Sequence, residues 1–143
     1  MINTGASGAI PRSDTVRRDA HAELYYEEVR KRRDDADKIA KNTGFPADDI
    51  QTIKNHVFFN VYDLGDENPE RFDPDYDMAV SWQRLTEGKA IQEMDIIMLN
   101  HELMEYKLMN EQGIKYGQAH DITNEIYNYS KYLDELDRKE DLH

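Results

Sequence analysis

Met94-Asp95-Ile96-Ile97-Met98-Leu99-Asn100-His101-Glu102-Leu103-Met104-Glu105-Tyr106-Lys107-Leu108 is the most apolar stretch of a chain of 143 residues. Met94, Ile97, Met98, Leu99, Leu103, Met104 and Leu108 recur at three- and four-residue spacing over a wide arc, the pattern of an α-helix buried by several neighbours. The spacing predicts a helix over about 91–112, ended by Gly113, since glycine is the common residue just past a helix C-terminus.

The sequence on either side reads the same way. Downstream, Ala119, Ile122, Ile126, Tyr129 and Leu133 predict a last helix over about 116–136. Upstream, Asp73-Pro74 reads as an N-cap followed by proline at the first helical position, opening a helix that carries Met78, Ala79, Trp82 and Leu85 and stops at Gly88. Gly65, Asp66, Asn68 and Pro69 mark a loop before it. Pro46 opens a helix holding Ile50, Ile53 and Val57, with Asp48 and Asp49 near its positive end; a short strand over His56–Tyr62 is the competing reading there. Residues 13–42, rich in Ala, Glu, Arg and Lys, predict one long helix with a stripe of Val16, Ala20, Leu24 and Tyr25, ended by Gly44. The fold class expected is all-α: about five helices packed around the central apolar helix at 91–112. The organisation expected is an N-terminal tether over 1–12, a single helical domain over 13–137 and a charged tail over 138–143.

Composition narrows the function. There is no cysteine, which excludes disulfides and every thiolate-based metal site or nucleophile. No apolar stretch is long enough to span a membrane. Met1–Asp14 has neither a basic nor an apolar leader region, so the chain is expected in the cytoplasm of its producer. The net charge is −12, and all of it arises beyond residue 41, where nine basic residues face twenty-two acidic ones; residues 1–41 are close to neutral. An acidic body lacks the basic footprint that neutralises phosphates, so nucleic acid is not the expected partner; a basic protein or a metal ion suits it better.

Against that background His101-Glu102-Leu103-Met104-Glu105 stands out, because charge inside an apolar helix is costly unless paired or ligated. His101 and Glu105, four residues apart, share a face, the geometry by which a helix offers two ligands to one ion. The zinc-peptidase pattern His-Glu-x-x-His works this way with its Glu as general base; here Glu105 stands in place of the second His. His120, on the next helix, is the expected third ligand. The cofactor this implies is a divalent metal, zinc first, with Glu102 as the base. His56 or Arg84 is the candidate for stabilising developing negative charge. The opposite reading makes His101 a hydrogen-bonded core histidine and pairs Glu102 and Glu105 with Lys or Arg. Asp73, Asp75 and Asp77 offer further oxygens but lack the spacing of a calcium loop, and read equally as helix-capping acids. Tyr127-Asn128-Tyr129 can line a polar pocket with His120. Residues 39–53, with Gly44 in a turn between two helices, have the outline of a helix-turn-helix, yet Asp48 and Asp49 at the start of its second helix would repel DNA.

Taken together, Ile39-Ala40-Lys41-Asn42-Thr43-Gly44-Phe45, Lys54-Asn55-His56-Val57-Phe58, Arg71-Phe72-Asp73-Pro74-Asp75-Tyr76-Asp77, Ser81-Trp82-Gln83-Arg84-Leu85 and His101-Glu102-Leu103-Met104-Glu105 resemble a domain at the C-terminus of bacterial polymorphic toxins and of phage minor head (morphogenesis) proteins. The resemblance covers roughly residues 20–132. It implies placement rather than a reaction: an effector-type, toxin-like domain, carried with a phage particle or a secreted protein and held by an immunity protein. Two classes of function stay open: a metal-dependent hydrolase of peptidase or nuclease type, and a non-catalytic protein-binding module of a phage or secretion particle. A helix-turn-helix DNA-binding protein is the third and weakest. Convergence of His101, Glu105 and His120 in space discriminates the first from the second.

Overall fold

The computed structural model describes residues 10–141, with the side chains of residue 137 and residues 139–141 left aside. The chain is all-helical: α1 (Thr15–Lys31), α2 (Asp35–Thr43), α3 (Ala47–Lys54), α4 (Tyr76–Glu87), α5 (Glu93–Asn110), α6 (Tyr116–Ile126) and α7 (Tyr129–Asp141). A π-helical turn, Asn55–Phe59, extends α3. Among the described residues, β structure is limited to one antiparallel bridge between Tyr62 and Glu70, which closes the loop before α4. Of the expected tether only residues 10–12 are described, and they are docked: Ile10 is buried, and Arg12 forks onto Asp77 at 3.0 and 3.1 Å.

The count rises from five helices to seven because two long helices are broken. The expected helix over 13–42 stops at Arg32, which is extended (ψ 146°). The break is held from outside: Lys54 Nζ donates to the Arg32 carbonyl at 2.8 Å and to Asp35 Oδ1 at 2.7 Å. Asp35 Oδ2 accepts from Trp82 Nε1 at 3.0 Å, so one buried carboxylate ties α2, α3 and α4 together. The second break, at Tyr127–Asn128, divides the last expected helix into α6 and α7.

Other boundaries follow local signals. Gly44 and Gly88 end α2 and α4 in the left-handed region. The cap of α4 is Asp75, whose Oδ2 accepts from the Met78 amide at 3.0 Å, two residues later than the Asp73-Pro74 pair suggests. A proline at position 74 leaves its neighbours extended and lets Asp75 take the cap.

The core gathers Tyr26, Val29, Ile39, Ile50, Ile53, Phe58, Trp82, Leu85, Met98 and Leu99 from α1 to α5. α1 presents the face Arg18, His21, Ala22, Tyr25, Tyr26 and Val29; of the expected stripe Tyr25 is buried, whereas Val16 and Leu24 are exposed. Tyrosines and an arginine outcompete the smaller apolar residues because they bury more area; the Arg18 guanidinium lies 4.2 Å from the Tyr76 ring centre and binds the Ile10 and Pro11 carbonyls. α5 packs against α3, α4, α6 and α7. Its buried face is Met94, Asp95, Met98, Leu99, His101, Glu105 and Leu108, while Ile97, Leu103 and Met104 of the expected arc stay half-buried.

Candidate metal centre

The buried face of α5 carries the chemistry. His101 and Glu105 point the same way one turn apart, with His101 Nε2 at 3.3 Å from Glu105 Oε2. α6 returns beside α5 and brings His120, whose Nδ1 lies 3.0 Å from the same oxygen. The π-helical turn brings the third ring: its wider winding turns His56 inward, and Nε2 meets the other Glu105 oxygen at 2.9 Å and Glu102 at 3.6 Å. One buried carboxylate is thus ringed by three histidines.

Two groups of ligand atoms converge closely enough for an ion: His101, Glu105 and His120, and His56, Glu102 and Glu105. In the first, two separations suit an ion, while the Asn124 Nδ2 donor 3.2 Å from His120 Nε2 puts the proton of that neutral ring on Nδ1, facing Glu105. Zinc–nitrogen bonds of about 2.0–2.1 Å put tetrahedral ligand atoms roughly 3.3 Å apart, close to the 3.0 and 3.3 Å separations here. His101 Nδ1 lies 3.0 Å from the Tyr127 carbonyl, which only accepts, so Nδ1 carries a proton and the Nε2 lone pair of the neutral ring faces Glu105. Metal-bound histidines commonly have such a carbonyl behind them. That carbonyl is available because the chain breaks between α6 and α7.

A cavity of about 400 Å³ opens over this cluster. His101, Glu102, Glu105 and His120 form its floor, Phe72, Tyr116, Tyr26 and Tyr129 contribute aromatic walls, and Asp73 and Asp75 add acidity at the side. Among the described residues, no lysine or arginine lines it.

The electrostatics follow from crowding. Burial works to raise the Glu105 pKa, but the three imidazoles of His101, His120 and His56 around it outweigh burial and hold the carboxyl far below its ordinary range. Glu102 has no such donors; burial and the Glu105 charge push it up to about 8. His101 is lowered by burial and raised more strongly by its Glu105 bond and the Glu102 charge, for a net rise.

These shifts give the metal-free protein a pH profile. The depressed Glu105 contributes stability above the ordinary glutamate value of about 4.3, lost as pH falls below it. The raised His101 contributes fully below about 6.5 and loses its contribution as pH climbs through its folded value. Glu102 favours folding when protonated, and that advantage disappears between about 4.3 and its folded value of about 8. Thermal melts in chelator are therefore expected to peak at about pH 4–5 and decline toward pH 9, with Glu102→Gln flattening the alkaline arm. A level profile from pH 5 to 9 would contradict these assignments.

Of the residues singled out by sequence, His56, His101, Glu102, Glu105 and His120 are brought together, and Arg84 is not. Arg84 is buried, with Nε 2.8 Å from Asp95 Oδ2 and Nη2 2.6 Å from Asp95 Oδ1, and it does not line the cavity. It is a structural arginine joining α4 to α5, which corrects its assignment to charge stabilisation. His56 likewise is fully buried behind Glu105 and outside the cavity lining, so it cannot touch a reacting group; it holds the Glu105 carboxylate. Asp77 is taken by Arg12. In the helix-turn-helix outline, Ile50 and Ile53 are core and Lys54 is committed to Asp35. Sequence reasoning missed Tyr62, which bonds to His56, and Asn60 and Asn110, which bond to the Tyr62 hydroxyl, because a lone tyrosine or asparagine in a loop or at a helix end carries no periodic signal.

No family model, curated protein or solved structure matches the chain. The resemblance to toxin and minor-head domains therefore rests on the motifs quoted above. Among the described residues, no helix is long and apolar enough to cross a membrane.

Proposed function

We propose that the cavity is the active site of a metal-dependent hydrolase acting on a carbonyl substrate of peptide type. The observation that carries this reading is the convergence of His101, Glu105 and His120, with the His101 lone pair aimed at the ion position by the Tyr127 carbonyl. His101, Glu105 and His120 would hold a divalent ion, zinc by its preference for nitrogen and carboxylate ligands, which would supply an activated water and a Lewis acid for the carbonyl. Glu102 lines the same cavity beside the ligands. Its carboxylate takes a proton from the water as the oxygen bonds to the carbonyl carbon, and returns it to the leaving nitrogen as the carbon–nitrogen bond breaks. A pKa raised to about 8 suits this exchange, and a cation alongside draws it down toward neutrality.

The cavity favours peptide over nucleic acid because, among the described residues, no lysine or arginine lines it and four carboxylates do. The effector setting, with an immunity protein or a basic partner, remains the proposal that the quoted motifs support. Separate neighbours for His101, Glu105 and His120 would have counted against the enzyme; their meeting at one Glu105 oxygen supports it over a non-catalytic protein-binding module. Incubation with an unstructured polypeptide, read by mass spectrometry, tests the reading. Cleavage that stops with chelator and returns with zinc supports it. Cleavage of RNA or DNA alone, or no cleavage of any substrate by the zinc-loaded protein, counts against it.

A further inference from the structure

Neither residue expected to stabilise developing negative charge is placed to do so: Arg84 is tied to Asp95, and His56 lies outside the cavity lining. The chemistry still needs such a group. Attack on an amide carbon pushes the carbon–oxygen π pair onto the carbonyl oxygen, and a fixed donor aimed at that oxygen supplies a large share of catalysis. Among the described residues, the cavity lining offers four hydroxyls, those of Tyr26, Tyr116, Tyr129 and Ser130. Tyr26 is 1% exposed, and the Tyr129 oxygen is buried. Ser130 is exposed, in the first turn of α7 and away from the ligand helices.

Tyr116 differs from all three. It opens α6 four residues before His120, so helical geometry puts the phenol and the expected ligand on one face, one turn apart. The two ring centres are 5.6 Å apart. On its other side the Tyr116 ring meets Phe72, at 5.0 Å. The ring is thus fixed between two neighbours while the side chain stays half-buried, and its hydroxyl makes no hydrogen bond to a described residue. The Glu105 and Glu102 carboxylates both act on that hydroxyl, which puts it on the catalytic side of the cavity.

We propose that Tyr116 is a catalytic residue whose hydroxyl donates a hydrogen bond to the oxyanion of the tetrahedral intermediate. The proposal rests on the hydrolase reading above, with the ion at His101, Glu105 and His120. As the water oxygen bonds to the carbonyl carbon, Glu102 takes the water proton and the π pair moves onto the carbonyl oxygen. The Tyr116 O–H binds that oxygen and keeps its own proton. When the pair returns and the double bond reforms, the carbon–nitrogen bond breaks, its electrons go to nitrogen, and Glu102 delivers the proton there. Tyr116 ends the cycle unchanged. Phe72 and His120 hold the ring before substrate arrives, and such pre-organisation is what makes a neutral donor effective.

The test is Tyr116→Phe, which keeps the ring and both ring contacts and removes only the hydroxyl. Zinc content, steady-state cleavage of an unstructured polypeptide, and binding of a phosphinic dipeptide by calorimetry are compared with the wild type. The phosphinate carries anionic oxygens in tetrahedral geometry and needs no turnover. The variant is expected to lose about 10²–10³-fold in kcat, the cost of one oxyanion donor, with KM and zinc content unchanged. Its phosphinate binding should weaken about 10–100-fold, the worth of a hydrogen bond to a charged group. Unchanged kcat, zinc loss in the variant, or phosphinate binding that is absent or equal in the two proteins overturns the proposal. A zinc-loaded wild type that cleaves no polypeptide sinks the hydrolase reading on that ground alone, and the phosphinate comparison still decides whether Tyr116 is the anion donor of the cavity.

Discussion

Asp35→Ala is expected to lower the unfolding free energy by about 3–5 kcal/mol, the range for breaking a buried ion pair by removing one partner. Asp35 is fully buried, and its two oxygens serve Lys54 Nζ at 2.7 Å and Trp82 Nε1 at 3.0 Å. Without the carboxylate, the Lys54 ammonium, itself 3% exposed, keeps only the Arg32 carbonyl. The Trp82 indole N–H loses its acceptor, and an unsatisfied buried donor adds its own penalty. The loss falls on the junction of α2, α3 and α4 at once. Asp35→Asn leaves an acceptor for Trp82 while removing the charge that offsets Lys54, so it should be milder than alanine yet clearly destabilising. Urea unfolding of the two variants measures this. A loss under about 1 kcal/mol in Asp35→Ala would show that Lys54 reaches solvent when its partner is removed.

The second large effect belongs to the chemistry. Glu102→Gln should reduce hydrolysis by about 10²–10⁴-fold, the usual contribution of a positioned acid–base group, while zinc content stays at that of the wild type. Glutamine keeps the size and polarity of the side chain and loses only the ability to take a proton. A variant that lost both metal and activity would make Glu102 a ligand, favouring the second group, His56 with Glu102 and Glu105. A variant with undiminished activity would remove Glu102 from the mechanism. Steady-state rates set beside metal content separate the three results.

The sequence made some of this site visible and concealed the rest, for physical reasons. His101 and Glu105 are four residues apart on a helix, and one helical turn puts any such pair on one face, so their meeting is a local property. His120 was legible as well, since the short link at Gly113 sends α6 back along α5. Gly44 and Gly88 end their helices as glycine in the left-handed region does. What stayed hidden depends on distant partners. Arg32 ends α1 because Lys54, twenty-two residues away, donates to its carbonyl. The Tyr127 break faces His101, twenty-six residues earlier. His56 reaches Glu105 through one π-helical turn, which no periodicity announces. Arg84 could pair with a buried carboxylate or an anionic substrate, and sequence cannot choose between them; the partner here is Asp95, on the next helix.

Metal content by mass spectrometry, on the wild type and on His101→Ala, tests the metal centre most directly. A site built from His101, Glu105 and His120 predicts one divalent ion per chain in the wild type after incubation with zinc, and its loss in His101→Ala with the helical fold intact. No bound ion in either protein under the same conditions would contradict the metallohydrolase and leave the three histidines and Glu105 as a metal-free polar cluster.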